Sequence, residues 1–181
     1  MFPLNVPNVL TVIRILLVPV LVVALLVNTD HGSWVAALVF AVAAFTDGLD
    51  GYIARSRQSV TTFGKVMDPI ADKLLIAAAL ISLVSLDKLA AWVAMVIIAR
   101  EFAVSGLRIA AGQQGVVIPA SMLGKVKTIV QVLAVLVLIA VDDTSQAWVQ
   151  VLVYAAVVIT VVSGVDYFLN VRRRIEEART A

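Results

Sequence analysis

Four aspartates carry the spacing of a reactive site in a chain of 181 residues, 62% of them hydrophobic and only 14% charged. Asp47 and Asp50 lie three apart, and Asp68 and Asp72 lie four apart. On a helix of 3.6 residues per turn each pair shares a face. Four carboxylates converging in a partly dry site would repel one another, because like charges drive one pKa sharply upward. Divalent cations resolve the conflict. Hard Mg²⁺ or Mn²⁺ takes carboxylate oxygens, and two such ions about 3.5–4 Å apart are a common device of phosphoryl transfer. The chain has no cysteine, and its one histidine, His31, lies on the side opposite the acids, which argues against zinc. Gly48, Gly51 and Ala54 leave almost no side chain near the acid face, and Arg55, one turn beyond Gly51, is placed for a phosphate. The competing reading of the glycines is close helix–helix packing. For the aspartates it is local ion pairing, Asp50 with Arg55 and Asp68 with Lys73. Charges are rare in spans unless they pair or serve function, and two acids flanking the glycines tip the balance to chemistry.

The elements that must hold these residues follow from composition. A water-soluble domain is nearer 45–50% apolar and about 25% charged, and disorder needs low hydrophobicity and high net charge; both are excluded. A net charge of +2 is too small to argue for nucleic acid. At about 20 residues per span, the apolar runs at roughly 8–28, 33–55, 69–86, 89–110, 122–141 and 146–169 predict an all-α, polytopic membrane protein of six transmembrane helices. The first run lacks a basic n-region and a small-residue cleavage site, so it reads as a retained span. No repeat or long linker divides the chain, and residues 1–181 are expected to form a single domain.

Turns at Asn28–Gly32, Asp87-Lys88 and Asp142–Gln146 would face one side of the membrane. Of the 14 Lys and Arg residues, only Lys88 falls on that side. Positive charge marks the cytoplasmic side, so both termini are predicted to be cytosolic, in the cell (inner) membrane, with the acids facing the cytoplasm. The acid pairs then close the second span and open the third, at the same depth, joined by a loop of about a dozen residues. Arg172-Arg173-Arg174 and Glu176-Glu177 continue the last helix and read as an anchor against anionic headgroups. Residues 109–121, with Gly112, Gln113, Gln114, Gly115 and Pro119, break the helical pattern and read as a cytosolic loop.

Written out, Asp47-Gly-Leu-Asp50-Gly51-Tyr-Ile-Ala54-Arg55, eight residues, Gly64, three residues, Asp68, three residues and Asp72 resembles the signature of the CDP-alcohol phosphotransferases, D-x2-D-G-x2-A-R-x8-G-x3-D-x3-D. Every fixed position is present, and six spans with cytosolic termini are similar to the family over the whole chain. The resemblance implies that Asp47 and Asp68 bridge two metal ions, with Asp50 completing one site and Asp72 the other. It also implies that Asp72 is the catalytic general base, and that Gly48, Gly51, Ala54, Arg55, Thr61 and Gly64 line the CDP-diacylglycerol site. The entry Asn8-Val-Leu-Thr11-Val-Ile-Arg14 resembles the family's N-P-N-x2-T-x2-R opening, which would contact the cytidine and its phosphates. A homodimer in membrane lipid is expected from the family.

A second cationic set, Arg100, Arg108, Lys125 and Lys127, suits a dianionic phosphate; positive-inside anchoring is its plain alternative. Glu101 beside Arg100 reads either as an ion-pair partner or as a hydroxyl acceptor. Asp68-Pro-Ile-Ala-Asp72-Lys73, Ala99-Arg100-Glu101 with Ser105-Gly-Leu-Arg108, and Gly124-Lys125-Val-Lys127-Thr128 resemble the branch of the family that forms phosphatidylglycerophosphate. The implied acceptor is glycerol 3-phosphate, a phosphorylated polyol, and the implied products are phosphatidylglycerophosphate and CMP. Inositol phosphate or another alcohol is the rival acceptor. A carboxylate-based ion transporter is the remote rival, weakened because no repeat is visible and every suspect acid sits toward one face.

Overall fold

The computed structural model describes residues 6–27, 32–57, 62–113 and 121–180, with the side chains at 6–8, 32–33, 47–57, 62–66, 68, 175 and 177–180 left out of the description. The regular structure of the described residues is entirely helical: α1 (Val6–Leu26), α2 (Gly32–Arg57), α3 (Thr62–Ser85), α4 (Ala91–Gln113), α5 (Met122–Ala140) and α6 (Ala147–Thr180). Six apolar runs become six helices in the expected order. Three stretches, Val9–Leu26, Met122–Ala140 and Ala147–Arg174, are long and apolar enough to cross a membrane, and Trp34–Thr46 is a shorter apolar stretch.

Two boundaries differ from expectation. α3 begins at Thr62 and runs through Pro69, so Asp68 and Asp72 lie inside the helix instead of opening it. Only residues 58–61, outside the described set, separate α2 from α3, in place of a loop of about a dozen residues. The apolar run begins only after Asp68, which made residue 69 look like a start; the N–H that Pro69 lacks did not end the helix there. α4 likewise continues through residues 109–113, which read as loop. Ala111 is buried against Val104, Tyr167 and Val171, and that packing outweighs the roughly 1 kcal/mol that Gly112 costs a helix. The rest of that segment, 114–120, lies outside the described residues.

The chain divides into two compact units, Met1–Ala90 with Val135–Asp142, and Ala91–Ala134 with Asp143–Ala181. In the first, α1 packs on α2 and α3, and α2 meets α3. Its interior combines Leu21, Phe40, Leu75 and Leu83 with Ala36, Ala43, Ala71 and Ala79, all fully or almost fully buried. In lipid, where burial of apolar surface gives helices little reason to associate, such small residues allow the close approach on which dispersion packing depends. In the second unit α4 packs on α6.

Large apolar side chains point outward: Leu16, Leu38, Phe45, Ile81, Met95 and Val151 are all exposed, whereas Thr11, Arg14, Gln131, Thr160 and Ser163 are buried. This is the reverse of a water-soluble protein and marks a surface that meets lipid.

The turn after α3 closes with Lys88 N–H on the Leu83 carbonyl (3.0 Å) and Asp87 N–H on the Val84 carbonyl (3.1 Å). That is the paired pattern of a Schellman cap, with Asp87 in the left-handed region at φ 56°. The Lys88 ammonium then donates to the Val141 carbonyl at 2.8 Å, just past the C-terminus of α5. Before α6, Asp143 accepts from Ser145 Oγ (2.6 Å) and N–H (2.9 Å). The hydroxyl bond, and then the backbone bond, hold its carboxyl below the usual carboxylate range.

Candidate active site

In the first unit, α1 turns Thr11 and Arg14, three residues apart, onto its buried side. Arg14 Nε donates to the Ala43 carbonyl of α2 at 3.4 Å, and Thr46 Oγ1 donates to the same oxygen at 2.9 Å. Ala43 stands one turn before Asp47. The entry motif of α1 is thus tied directly to the stretch of α2 that leads into the first aspartate pair, a juxtaposition across 29 residues of sequence.

Asp47 and Asp50 belong to α2, and Asp68 and Asp72 to α3. Asp72 is half-buried, next to the fully buried Ala71, and Lys73 Nζ bonds the Pro69 carbonyl at 3.1 Å. Beyond their helical positions, Asn8, Asp47, Gly48, Asp50, Gly51, Ala54, Arg55, Gly64 and Asp68 lie outside the described residues, and Thr61 lies outside them altogether. The four expected ligands are all carboxylates, hard oxygens that suit Mg²⁺ or Mn²⁺ rather than a soft-ligand metal; among the described residues no group of three or more acids or histidines stands together.

The second unit gathers a polar cluster between apolar faces. Arg100 of α4 donates from Nη1 to Glu101 Oε1 at 3.3 Å and from Nη2 to Ser163 Oγ of α6 at 3.0 Å. Lys127 of α5, itself buried, also donates to Glu101 Oε1, in a short ion pair. Ser163 Oγ passes its own proton to the Thr160 carbonyl at 3.1 Å, so its lone pairs are presented to Arg100. A Cβ at Gly164 would stand 3.2 Å from Arg100 Cγ, so the glycine leaves room for the arginine stem. Two cations and one carboxylate leave the trio at net +1.

Of the four cations expected around an acceptor phosphate, Arg100 and Lys127 are therefore brought together. Arg108 stands apart from them: its Nε reaches the Tyr167 hydroxyl at 3.5 Å and its guanidinium lies 5.6 Å from that ring's centroid. Lys125 is exposed at the start of α5. Glu101, left open between two roles, makes its ion pairs through Oε1. Sequence reasoning missed Gln131, Thr160, Ser163 and Tyr167. An amide or hydroxyl inside an apolar run was the available signal for the first three, since polar groups in a span must find partners.

A model of the CDP-alcohol phosphatidyltransferase family matches residues 4–162, and the chain belongs to that family. Membership makes it a phosphotransferase. Among individual proteins it is similar to the CDP-diacylglycerol–glycerol-3-phosphate 3-phosphatidyltransferase of Bacillus subtilis, 42% identical over 180 residues, covering 91% of this chain and 93% of the relative. The protein of the same name from Rickettsia felis is 40% identical, with 91% and 93% covered. The probable phosphatidylglycerophosphate synthase of Mycobacterium tuberculosis is 42% identical over 175 residues, with 94% and 83% covered.

Proposed function

We propose that this chain transfers the phosphatidyl group of CDP-diacylglycerol to glycerol 3-phosphate, giving phosphatidylglycerophosphate and CMP. The observation that carries the acceptor is the meeting of Arg100 and Lys127, from separate helices, at one point of the second unit. Two cations so placed suit a dianionic phosphate. The names of the relatives, matched over most of both chains, point to the same acceptor.

Asp47, Asp50, Asp68 and Asp72 would hold two divalent ions. When bound, these supply neutralisation of the pyrophosphate and of the charge gathering on CMP. Arg55, Gly51 and Thr61 hold the CDP moiety, with Asn8, Thr11 and Arg14 at the cytidine end. Gly48, Ala54 and Gly64 keep the approach free of side-chain bulk. A hydroxyl of glycerol 3-phosphate attacks the phosphorus that bears the diacylglycerol. The new P–O bond forms as the P–O bond to CMP breaks, the electron pair leaves with CMP, and the hydroxyl proton passes to the Asp72 carboxylate. Arg100 and Lys127 hold the acceptor's phosphate, and Arg108 and Lys125 add positive charge to its approach.

The chain works as one multi-pass domain of six spans in the cell (inner) membrane, as a homodimer, with both termini and the aspartates at the cytoplasmic face. Supporting this, Trp34, Trp92 and Trp148 stand exposed in the first turns of α2, α4 and α6. Tryptophan favours the membrane–water interface, and in α2 Trp34 is at the end opposite Asp47 and Asp50. The basic residues, Lys88 excepted, fall on or toward the predicted cytosolic side.

The decisive experiment is CMP release by the purified protein with CDP-diacylglycerol and Mg²⁺ across a panel of alcohols. Release with glycerol 3-phosphate is expected. No release with any acceptor would reject the reaction, and release with inositol phosphate alone would replace the acceptor.

A further inference from the structure

Resting on the assignment of Arg100 and Lys127 to the acceptor's phosphate, we infer that Glu101 reads the acceptor's second hydroxyl and sets the preference for a phosphorylated polyol. Both cations converge on a single oxygen, Oε1. No donor among the described residues reaches Oε2. Plain charge neutralisation would be served better by one cation on each oxygen, because two cations on one oxygen crowd each other. The side chains of Arg100 and Glu101 are 14% and 12% exposed, buried enough to be fixed and open enough to be reached. Glu101 thus keeps one acceptor oxygen that neither cation uses.

A carboxylate only accepts hydrogen bonds, and a phosphate dianion only accepts them too. Glu101 Oε2 therefore has nothing to offer the phosphate and would repel it. What it can take is a hydroxyl proton from the carbon skeleton beside that phosphate. In glycerol 3-phosphate the hydroxyl nearer the phosphate is the middle one, and the terminal hydroxyl is the one left to attack. Ser163 and Gly164 act behind the pair as positioning residues: one orients the Arg100 guanidinium, and the other makes room for its stem.

The test compares glycerol 3-phosphate with 3-hydroxypropyl phosphate, which keeps the phosphate and the attacking hydroxyl but lacks the middle one. The unaltered enzyme should prefer glycerol 3-phosphate in kcat/KM by about tenfold or more, the range of a hydrogen bond to a charged group. Glu101→Gln should erase that preference by raising KM for glycerol 3-phosphate alone, since its single oxygen stays committed to the cations. Equal losses with both acceptors would reduce Glu101 to a structural ion pair and overturn the proposal, as would an unaltered enzyme with no preference. If Glu101→Gln fails to fold, Glu101→Asp keeps the charge but loses a methylene of reach, and a preserved preference there overturns the proposal equally. Arg100→Ala separates the two assignments. Unchanged KM for both phosphates would refute the phosphate site itself, whereas raised KM for both, with the preference intact in Glu101→Gln, refutes only the reading of Glu101.

Discussion

Arg14 in α1 donates from Nε to the carbonyl oxygen of Ala43 in α2, one turn ahead of Asp47. A buried guanidinium is costly to maintain unless its donors are used, and this one is used to fix the helix that carries the first aspartate pair. Arg14→Ala should lower the unfolding temperature in detergent, at a cost of about 1–3 kcal/mol. It should also raise KM for CDP-diacylglycerol. Unchanged stability together with unchanged KM would detach the entry motif from the site.

Asp72 is assigned the acceptor's proton. Asp72→Asn should depress kcat by about 100-fold or more, the usual range for loss of a general base, while KM for glycerol 3-phosphate changes far less. Steady-state CMP release checks this, and a kcat within a few-fold of the unaltered enzyme would move the base elsewhere.

Arg108 rests on Tyr167 by ring face and hydroxyl together. Arg108→Ala should raise KM for glycerol 3-phosphate far more than KM for CDP-diacylglycerol. Tyr167→Phe keeps the ring under the guanidinium and should cost little, whereas Tyr167→Leu removes a cation–π contact of about 0.5–1 kcal/mol and should approach the arginine variant. The reverse KM pattern would assign Arg108 to the nucleotide lipid.

Stripping divalent ions with EDTA should abolish CMP release, and either Mg²⁺ or Mn²⁺ should restore it. Activity that survives exhaustive chelation would rule out a role for the four aspartates as metal ligands.

With no cysteine in the chain, sidedness can be read from single introduced thiols. Asp142→Cys and Arg173→Cys, both at exposed positions, should react with a membrane-impermeant maleimide from opposite sides, the second only after the membrane is opened. Labelling of both from one side would invalidate the alternation of spans.

Hydrophobic runs made the six helices legible because lipid demands continuous apolar length, and the aspartate spacing made the family legible because every fixed position of its pattern is local in sequence. What could not be read is what depends on packing between distant segments. Of the loop expected over 109–121, residues 109–113 are helix because Ala111 packs with Val104, Tyr167 and Val171, and no local feature of Gly112 announces that. The four acceptor cations looked equivalent by charge, yet Arg100 and Lys127 meet only because Glu101 lies between them, while Arg108 is drawn to Tyr167, 59 residues away. Ser163 gave one weak sign, a hydroxyl in an apolar run, and nothing in the sequence named its partner.

The alanines at the centre of the first unit, with bulky aliphatic side chains outside, turn the usual map of mutational tolerance inside out. Leu16, Leu38, Phe45 and Ile81, all exposed, can drift among apolar types with little consequence, since lipid conforms to any of them. Ala36, Ala43, Ala71 and Ala79 are fully buried, and larger side chains there would push the helices apart. Over long divergence the smallest side chains of this protein should therefore change least, and its largest exposed ones should record little more than the requirement to stay greasy.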